Sequence, residues 1–175
     1  MAVIPQGYYD ANSFDEGIEY DFAYYVAADS DPGPNNLPET SVGTAVSLEP
    51  MAISFNGISL GEETYLFGYP ADQDNNVDGA KLMFSHDIAV SANQYTEGDG
   101  YYLPCNGLSG GASGGPWTQS DPATGYLTLQ SVNSWGWVDE TRTGMGAPPY
   151  TNGAECVYNA ANTEDLSSGD IVVIC

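Results

Sequence analysis

The chain has 175 residues, of which 42% are hydrophobic, and this is enough apolar material for the core of one domain. Only two basic residues stand against 24 acidic ones, and the formal net charge is −22. So few cations cannot neutralise phosphates, which excludes nucleic-acid binding and binding to anionic membrane surfaces. Such an acidic surface suits a salty or acidic medium or a cationic partner, and plain solubility is the alternative explanation.

The sequence holds no apolar run of the roughly 18 residues that a membrane span needs. Residues 1–10 have neither the basic nor the apolar region of a secretory signal, so we expect that a signal was removed or that Met1 is not the biological start. The chain has three cysteines, and a single disulfide would leave one over. In a secreted protein, an odd cysteine indicates a partner outside the chain.

Short apolar stretches separated by clusters of Gly, Pro, Asn and Asp predict an all-β chain. One short helix is predicted at 154–162, and no linker between independent domains is recognisable. The pattern therefore predicts a single barrel or sandwich of many short strands. In chain order, these strands are predicted at 19–27, 44–48, 64–68, 81–89, 100–103, 127–137 and 171–174.

The stretch 109–117 reads S-G-G-A-S-G-G-P-W, in which four glycines flank Ser113. Glycine adopts positive φ angles readily, so such a loop can turn its N–H groups towards one point. Converging donors of this kind form an oxyanion hole, which stabilises the negative charge that develops during acyl transfer. A serine becomes nucleophilic only beside a general base, so the glycines suggest this chemistry without establishing it.

A second motif places Asp72, Asp74, Asn76 and Asp78 at alternate positions, which is the spacing of oxygen ligands in calcium loops. The twelfth position of the motif is Met83, where an EF-hand has a bidentate glutamate. The alternatives are a weak calcium site and a solvated acidic turn. No other cofactor is expected.

The segment 110–116, G-G-A-S-G-G-P, resembles the nucleophile loop of trypsin/chymotrypsin-like serine proteases. With Cys105 before it and Trp117 after it, the loop is similar to that of secreted microbial members. Further matches follow the family's order along the chain, and together they span roughly residues 21–162, which is most of the chain. They are Y-D-F-A at 20–23, F-G-Y-P-A at 67–71, N-S-W-G at 133–136, and the tail at 146–150 and 158–159.

The resemblance implies two six-stranded antiparallel Greek-key barrels and a short C-terminal helix in one domain, 1–175. Residues 1–48 would be the remainder of the first barrel, and 49–175 the second barrel with the helix and tail. Several strands should precede Asp21, and closed β folds of this kind reach roughly 200–250 residues, so we expect the first barrel to be incomplete. The resemblance also implies a secreted or extracellular protein that acts on peptides or proteins.

Carried over residue by residue, the resemblance makes Ser113 the nucleophile and the N–H groups of Gly111 and Ser113 the oxyanion hole. Asp21 becomes the aspartate that orients a catalytic histidine. The family's order is histidine, aspartate, serine, but the only histidine, His86, follows Asp21 and falls on an outer strand. We therefore expect the catalytic histidine on a missing N-terminal segment or a second chain. The alternatives are an endopeptidase completed in this way and a non-catalytic, protease-like binding or structural subunit.

Substrate is implied to pair with Ser134, Trp135 and Gly136 as an added antiparallel strand. Gly107 stands at the base of the specificity pocket, where trypsin has an aspartate, so selectivity for Lys or Arg is not expected. Asn133 stands where glutamate-specific relatives have a histidine, which argues against that preference too. A broad or apolar-accepting pocket is the remaining expectation.

Ala112 stands where zymogen-activated members have an aspartate, so an activation ion pair with a new N-terminal amine cannot form here. Cys105 lies close before the nucleophile loop, and we expect it to pair with Cys156. Cys175 would then remain for a residue in the missing segment, although the sequence leaves other pairings open.

Overall fold

A computed structural model describes residues 2–26, 50–71, 77–96, 98–104, 107–136, 144–163 and 171–175. None of the helices in these ranges is long and apolar enough to cross a membrane. The strands are β1 Ala2–Pro5, β2 Tyr24–Tyr25, β3 Glu63–Gly68, β4 Met83–Ile88, β5 Val90–Ser91, β6 Tyr101–Leu103, β7 Pro116–Ser120, β8 Leu127–Val132, β9 Trp135–Gly136, β10 Met145–Ala147 and β11 Ile171–Ile174. The helices are α1 Gln6–Asp10, α2 Phe14–Gly17 and α3 Asn152–Asn162, and 3-10 turns span Ile18–Tyr20 and Ala92–Gln94.

Most of the predicted elements are present. The helix predicted at 154–162 is confirmed as α3, which begins at Asn152. The strands predicted at 64–68, 81–89, 100–103 and 171–174 are confirmed as β3, β4, β6 and β11. The long strand predicted at 127–137 is divided into β8 and β9, and the one at 19–27 is reduced to β2. The prediction at 44–48 lies outside the described residues.

The strands form three sheets with the orders β11-β1-β2, β5-β6-β10-β9 and β4-β3-β7-β8. Every pairing between named strands is antiparallel except that of β1 with β11. The chain passes between the two four-stranded sheets at Ala89 and again at Asn133 and Ser134, as strands do at the corners of packed sheets. Within the described ranges no sheet closes into a barrel, so the expected barrels are present there as open, cornered sheets.

Two of the three apolar clusters among the described residues hold the main elements together. One fills the space between the four-stranded sheets and centres on the fully buried Leu66, Leu103 and Trp117. The other holds α3 against β1 through Val3 and Val157. Tyr150 is also in this second cluster, and burial raises its pKa to about 12.

A disulfide joins Cys156 in α3 to Cys175, directly after β11. This corrects the expected pairing of Cys156 with Cys105, which lies outside the described residues. The physical reason is the parallel pairing of β11 with β1, since α3 packs on β1 and the end of β11 is thereby brought next to the helix. The bond therefore fastens the C-terminal strand to the helix.

Candidate active site

Ser113 lies on the loop that leads into β7, and its side chain is exposed. Gly111 and Gly114 on either side have φ angles of +93° and +78°, which L side chains rarely adopt. A Cβ at Gly111 would also lie 2.8 Å from the Ala71 nitrogen. The glycines are therefore required by the bend of the loop and by its close approach to the segment after β3.

The backbone around Ser113 is fixed by hydrogen bonds to its neighbours. The Ala71 N–H donates to the Gly110 carbonyl at 2.7 Å, and the Ala112 N–H donates to the Ser109 carbonyl at 3.1 Å. In the described part of the chain, the N–H groups of Gly111 and Ser113 donate to no backbone carbonyl. An oxyanion hole needs donors that are free in this way.

The corner between β8 and β9 lies directly against this loop. The Gly114 N–H donates to the Asn133 carbonyl at 2.7 Å, and the Asn133 N–H donates to the Gly115 carbonyl at 2.7 Å. These two bonds form a short antiparallel bridge immediately after Ser113. The corner therefore sets the position at which the loop leaves the site.

Asp21 follows the 3-10 turn over Ile18–Tyr20 and is partly buried. Its Oδ2 accepts a hydrogen bond of 2.5 Å from Ser134 Oγ. Asp21 also lines a cleft of about 430 Å³, whose other walls come from α1, α2 and the turns beside them. The consecutive residues Asn133 and Ser134 thus contact the Ser113 loop and Asp21, respectively.

Of the residues expected to hold substrate, Ser134, Trp135 and Gly136 lie at the same corner. Ser134 donates its N–H to the Gly146 carbonyl at 3.0 Å, and β9 is the terminal strand of its sheet. Trp135 packs its ring on Tyr102, with the ring centroids 5.6 Å apart. Gly107 is exposed with φ +89°, and no atom lies within 4 Å of the place where its Cβ would be. The position is open and, without a side chain, carries no charge.

His86 lies on β4, the edge strand of its sheet, as the sequence leads us to expect. Its Nδ1 is 2.7 Å from Glu63 Oε1, and its ring stacks on Tyr65 at 5.5 Å. Tyr65 donates a hydrogen bond of 2.6 Å to the other oxygen of Glu63. The hydrogen bonds from Tyr65 and then His86 lower the pKa of Glu63. His86 therefore binds Glu63. Among the described residues, no hydrogen bond joins His86 to Ser113 or to Asp21.

Three of the four residues of the calcium motif, Asp72, Asp74 and Asn76, lie outside the described residues. The fourth, Asp78, accepts a hydrogen bond of 3.0 Å from the Ala80 N–H through its carboxylate. Among the residues that the structure describes, no group of three or more His, Cys, Asp and Glu side chains is placed to hold a metal ion. Calcium at this loop stays a hypothesis.

One residue of the site has a role that the sequence patterns do not predict. In sequence, Asn133 is notable for the N-S-W-G match and for its place beside the specificity pocket, yet its side chain is almost fully buried and its amide contacts the loop before Ser113. The N-S-W-G match at 133–136 is the one available signal, and it does not indicate this contact.

No protein-family model matches the chain, and no curated protein matches it in sequence. Solved structures that are similar to it include two proteases. One is the thermostable serine protease AL20 from an extremophilic microorganism, with a TM-score of 0.66, 28% identity, and coverage of 85% of this chain and 61% of that one. The other is the protease Anisep from Arthrobacter nicotinovorans, with a TM-score of 0.67, 26% identity, and coverage of 92% and 64%. The chain thus spans less than two thirds of either protein.

Proposed function

We propose, for a chain that has a trypsin-like serine protease fold, that Ser113 is the nucleophile of a serine endopeptidase. The observation that carries the proposal is the contact of two consecutive residues with both candidate groups. Asn133 binds the backbone of the loop that bears Ser113, and Ser134 binds the Asp21 carboxylate. The nucleophile and the acidic residue are thereby held at one corner of the fold.

In the proposed reaction, Ser113 Oγ attacks the carbonyl carbon of the scissile peptide bond while a histidine base takes the hydroxyl proton. The N–H groups of Gly111 and Ser113 stabilise the oxyanion that forms. Collapse of this intermediate breaks the C–N bond, the amine leaves with the proton from the histidine, and water then hydrolyses the acyl-enzyme. Asp21 orients the histidine and stabilises its cationic form.

The histidine in this scheme comes from polypeptide beyond these 175 residues. His86 is the only histidine in the sequence, and Glu63 and Tyr65 hold it on the edge strand β4. Asp21 lines an open cleft, and this is the space that we propose for the ring.

Substrate is proposed to extend along β9, where backbone pairing would provide affinity without demanding a particular side chain. The absence of a side chain at Gly107 favours a broad or apolar-accepting pocket over one selective for Lys or Arg. The net charge of −22 would draw cationic polypeptides towards the surface. The disulfide between Cys156 and Cys175 fits an oxidising, extracellular environment.

The second candidate is a non-catalytic, protease-like subunit with a binding or structural role. The observation that favours it is the contact of His86 with Glu63. His86 is the only histidine in the sequence, and this contact holds it on the edge strand β4. Without a histidine from another source, the oxyanion hole and substrate binding would supply only residual catalysis.

Labelling with a fluorophosphonate probe separates the two candidates, provided that the native, full-length material is used. We expect an adduct on Ser113, none in Ser113→Ala, and an unchanged one in Ser109→Ala, the control in the same loop. Asp21→Asn should lower the labelling rate by up to about 10⁴-fold, since the histidine would adopt the wrong tautomer. A native protein without an adduct on Ser113 would exclude the endopeptidase and support the non-catalytic subunit.

A further inference from the structure

The side chain of Asn133 is a buried amide, only 2% exposed, whose polar atoms are all engaged. Its Nδ2 donates to the carbonyls of Phe67 and Ala112, both at 2.9 Å. Its Oδ1 accepts from Trp117 Nε1 at 2.8 Å. Both amide hydrogens and the oxygen therefore have partners, and the amide group is held from three directions.

The Ala112 carbonyl belongs to the same peptide group as the Ser113 N–H. The chain has no cis peptide bond among the described residues, so the C=O and N–H of this group point in opposite directions. A hydrogen bond that holds the Ala112 oxygen towards the interior thus turns the Ser113 N–H away from it. The Ala71 N–H holds the Gly110 oxygen in the same way and so turns the Gly111 N–H.

Close packing leaves the loop little freedom to turn about these bonds. A Cβ at Gly115 would lie 2.7 Å from Asn133 Nδ2, and one at Gly68 would lie 2.7 Å from Ala112 Cβ. Real Cβ atoms essentially never come this near to another heavy atom. Gly115 and Gly68 therefore leave the space that the Asn133 amide and Ala112 occupy. A residue with a side chain at either glycine position would displace them.

We propose that Asn133 is a positioning residue that aims the Ser113 N–H at the oxyanion. This role rests on the proposed function of Ser113. The amide is neutral, and so are all of its partners, so the orientation it imposes does not depend on a charge pair. Where zymogen-activated proteases carry an aspartate, this chain has Ala112, whose carbonyl accepts from the Asn133 amide at 2.9 Å and from the Gly115 N–H at 3.1 Å.

The sharpest variant is Asn133→Asp, which keeps the shape and the acceptor for Trp117. It replaces the NH2 group, which donates two hydrogen bonds, by a carboxylate oxygen that faces the carbonyls of Phe67 and Ala112. Fluorophosphonate labelling of the native material is resolved into a reagent binding constant and a rate constant of phosphonylation. We expect the rate constant to fall about 10²-fold, as when one oxyanion donor is lost, with little change in the binding constant.

Gln119→Ala is the matched control, because Gln119 is also a buried amide and its bonds to Ser59 and Thr64 lie away from the loop. We expect it to destabilise the protein while the rate constant for folded molecules stays unchanged. Equal rate constants in Asn133→Asp and Gln119→Ala would overturn the proposal. Asn133→Ala serves the same comparison if the aspartate variant does not fold, since it buries no charge.

Hydrogen exchange separates failure of this role from failure of the proposed function. If Ser113 in the wild type takes no label, the catalytic proposal fails, but the orientation of the loop can still be measured. Replacing Asn133 should speed the exchange of the Gly114 and Gly115 amide protons at least about tenfold relative to those of β6. The reason is that the Gly114 N–H donates to the Asn133 carbonyl and the Gly115 N–H to the Ala112 carbonyl, which the Asn133 amide also holds. Unchanged exchange at these two amides would overturn the positioning role by itself.

Discussion

Ser134 and Asp21, which are 113 residues apart in the sequence, are joined by a hydrogen bond of 2.5 Å from the hydroxyl to the carboxylate. The bond connects the end of an N-terminal 3-10 turn to the corner between β8 and β9. Because the next residue back, Asn133, binds the nucleophile loop, a change at this corner affects both candidate catalytic groups.

Ser134→Ala removes a hydrogen bond to a charged group, and such bonds contribute about 1.5–3 kcal/mol. Because both side chains are partly exposed, we expect a loss of about 1–2 kcal/mol in the free energy of unfolding, measured in urea. The fluorophosphonate labelling rate should fall roughly tenfold as Asp21 loses its fixed orientation. Ser120→Ala, on the exposed end of β7, is the control and should change neither quantity. If Ser134→Ala were labelled at the wild-type rate, the hydrogen bond from Ser134 would not position Asp21.

Gly115→Ala should be among the most damaging single-methyl additions in the chain. The new Cβ would overlap the Phe67 carbonyl oxygen and approach Asn133 Nδ2 within 2.7 Å. We expect destabilisation of about 3 kcal/mol or more, measured by thermal and urea unfolding, because overpacking of a fixed backbone costs typically 1–3 kcal/mol and sometimes more.

Gly110→Ala in the same loop is the control for that substitution. No atom lies within 4 Å of its Cβ position, and its φ is not in the left-handed region, so we expect a change within about 0.5 kcal/mol. Similar losses in the two variants would show that loop flexibility, and not the contact with Phe67 and Asn133, determines the cost.

The lowered pKa of Glu63 predicts a small dependence of stability on pH. Its folded pKa lies below the ordinary value of 4.5, so its contribution is present above that pH and is lost as the pH falls through the folded pKa. Urea unfolding should therefore distinguish wild type from Glu63→Gln near neutral pH, and the difference should disappear once the pH falls well below the folded pKa. In an NMR titration of the Glu63 carboxyl, Tyr65→Phe and His86→Gln should each raise the pKa, because both side chains lower it in the wild type. An unchanged pKa in Tyr65→Phe would show that the Tyr65 hydrogen bond does not contribute to the shift.

Opening the disulfide should lower the melting temperature. Its cysteines are 19 residues apart, and closing a loop of this size contributes about 3 kcal/mol. In a chain of this length, that loss corresponds to a drop of about 6–12 °C, which calorimetry can measure in Cys175→Ser. A reductant should lower the melting temperature of the wild type equally and leave that of the variant unchanged. A further drop in the reduced variant would indicate that Cys156 had found another partner.

Local sequence patterns predict the helices and strands whose buried and exposed residues follow a regular period. They miss the elements in which burial removes that period. β3 alternates between exposed and buried residues, and α3 buries one face, so both are visible in the sequence. All three residues of β10 are buried, which removes the alternation that identifies a strand. Helix α2 does have a signal, since Ser13 caps it by accepting a hydrogen bond from the Glu16 N–H.

In the candidate site, too, some residues can be predicted from the sequence and others cannot. A short motif identifies Ser113, and a resemblance spread over the chain identifies Asp21. Asn133 differs, because its amide binds Phe67 and Ala112 at separations of 66 and 21 residues. No local pattern encodes such contacts, and they become visible only when the sheets are assembled. The pairing of Cys156 with Cys175 was missed for the same reason, since it depends on where β11 lies.

The parallel pairing of β1 with β11 sets an order of events during synthesis on the ribosome. Val3 is synthesised well before its partner Val172, which lies 169 positions later in the chain. The two four-stranded sheets, whose strands lie between residues 63 and 147, are synthesised in the interval and can fold during it. Until β11 is made, one edge of β1 stays unpaired and open to other chains. Chaperone dependence during expression would therefore centre on β1.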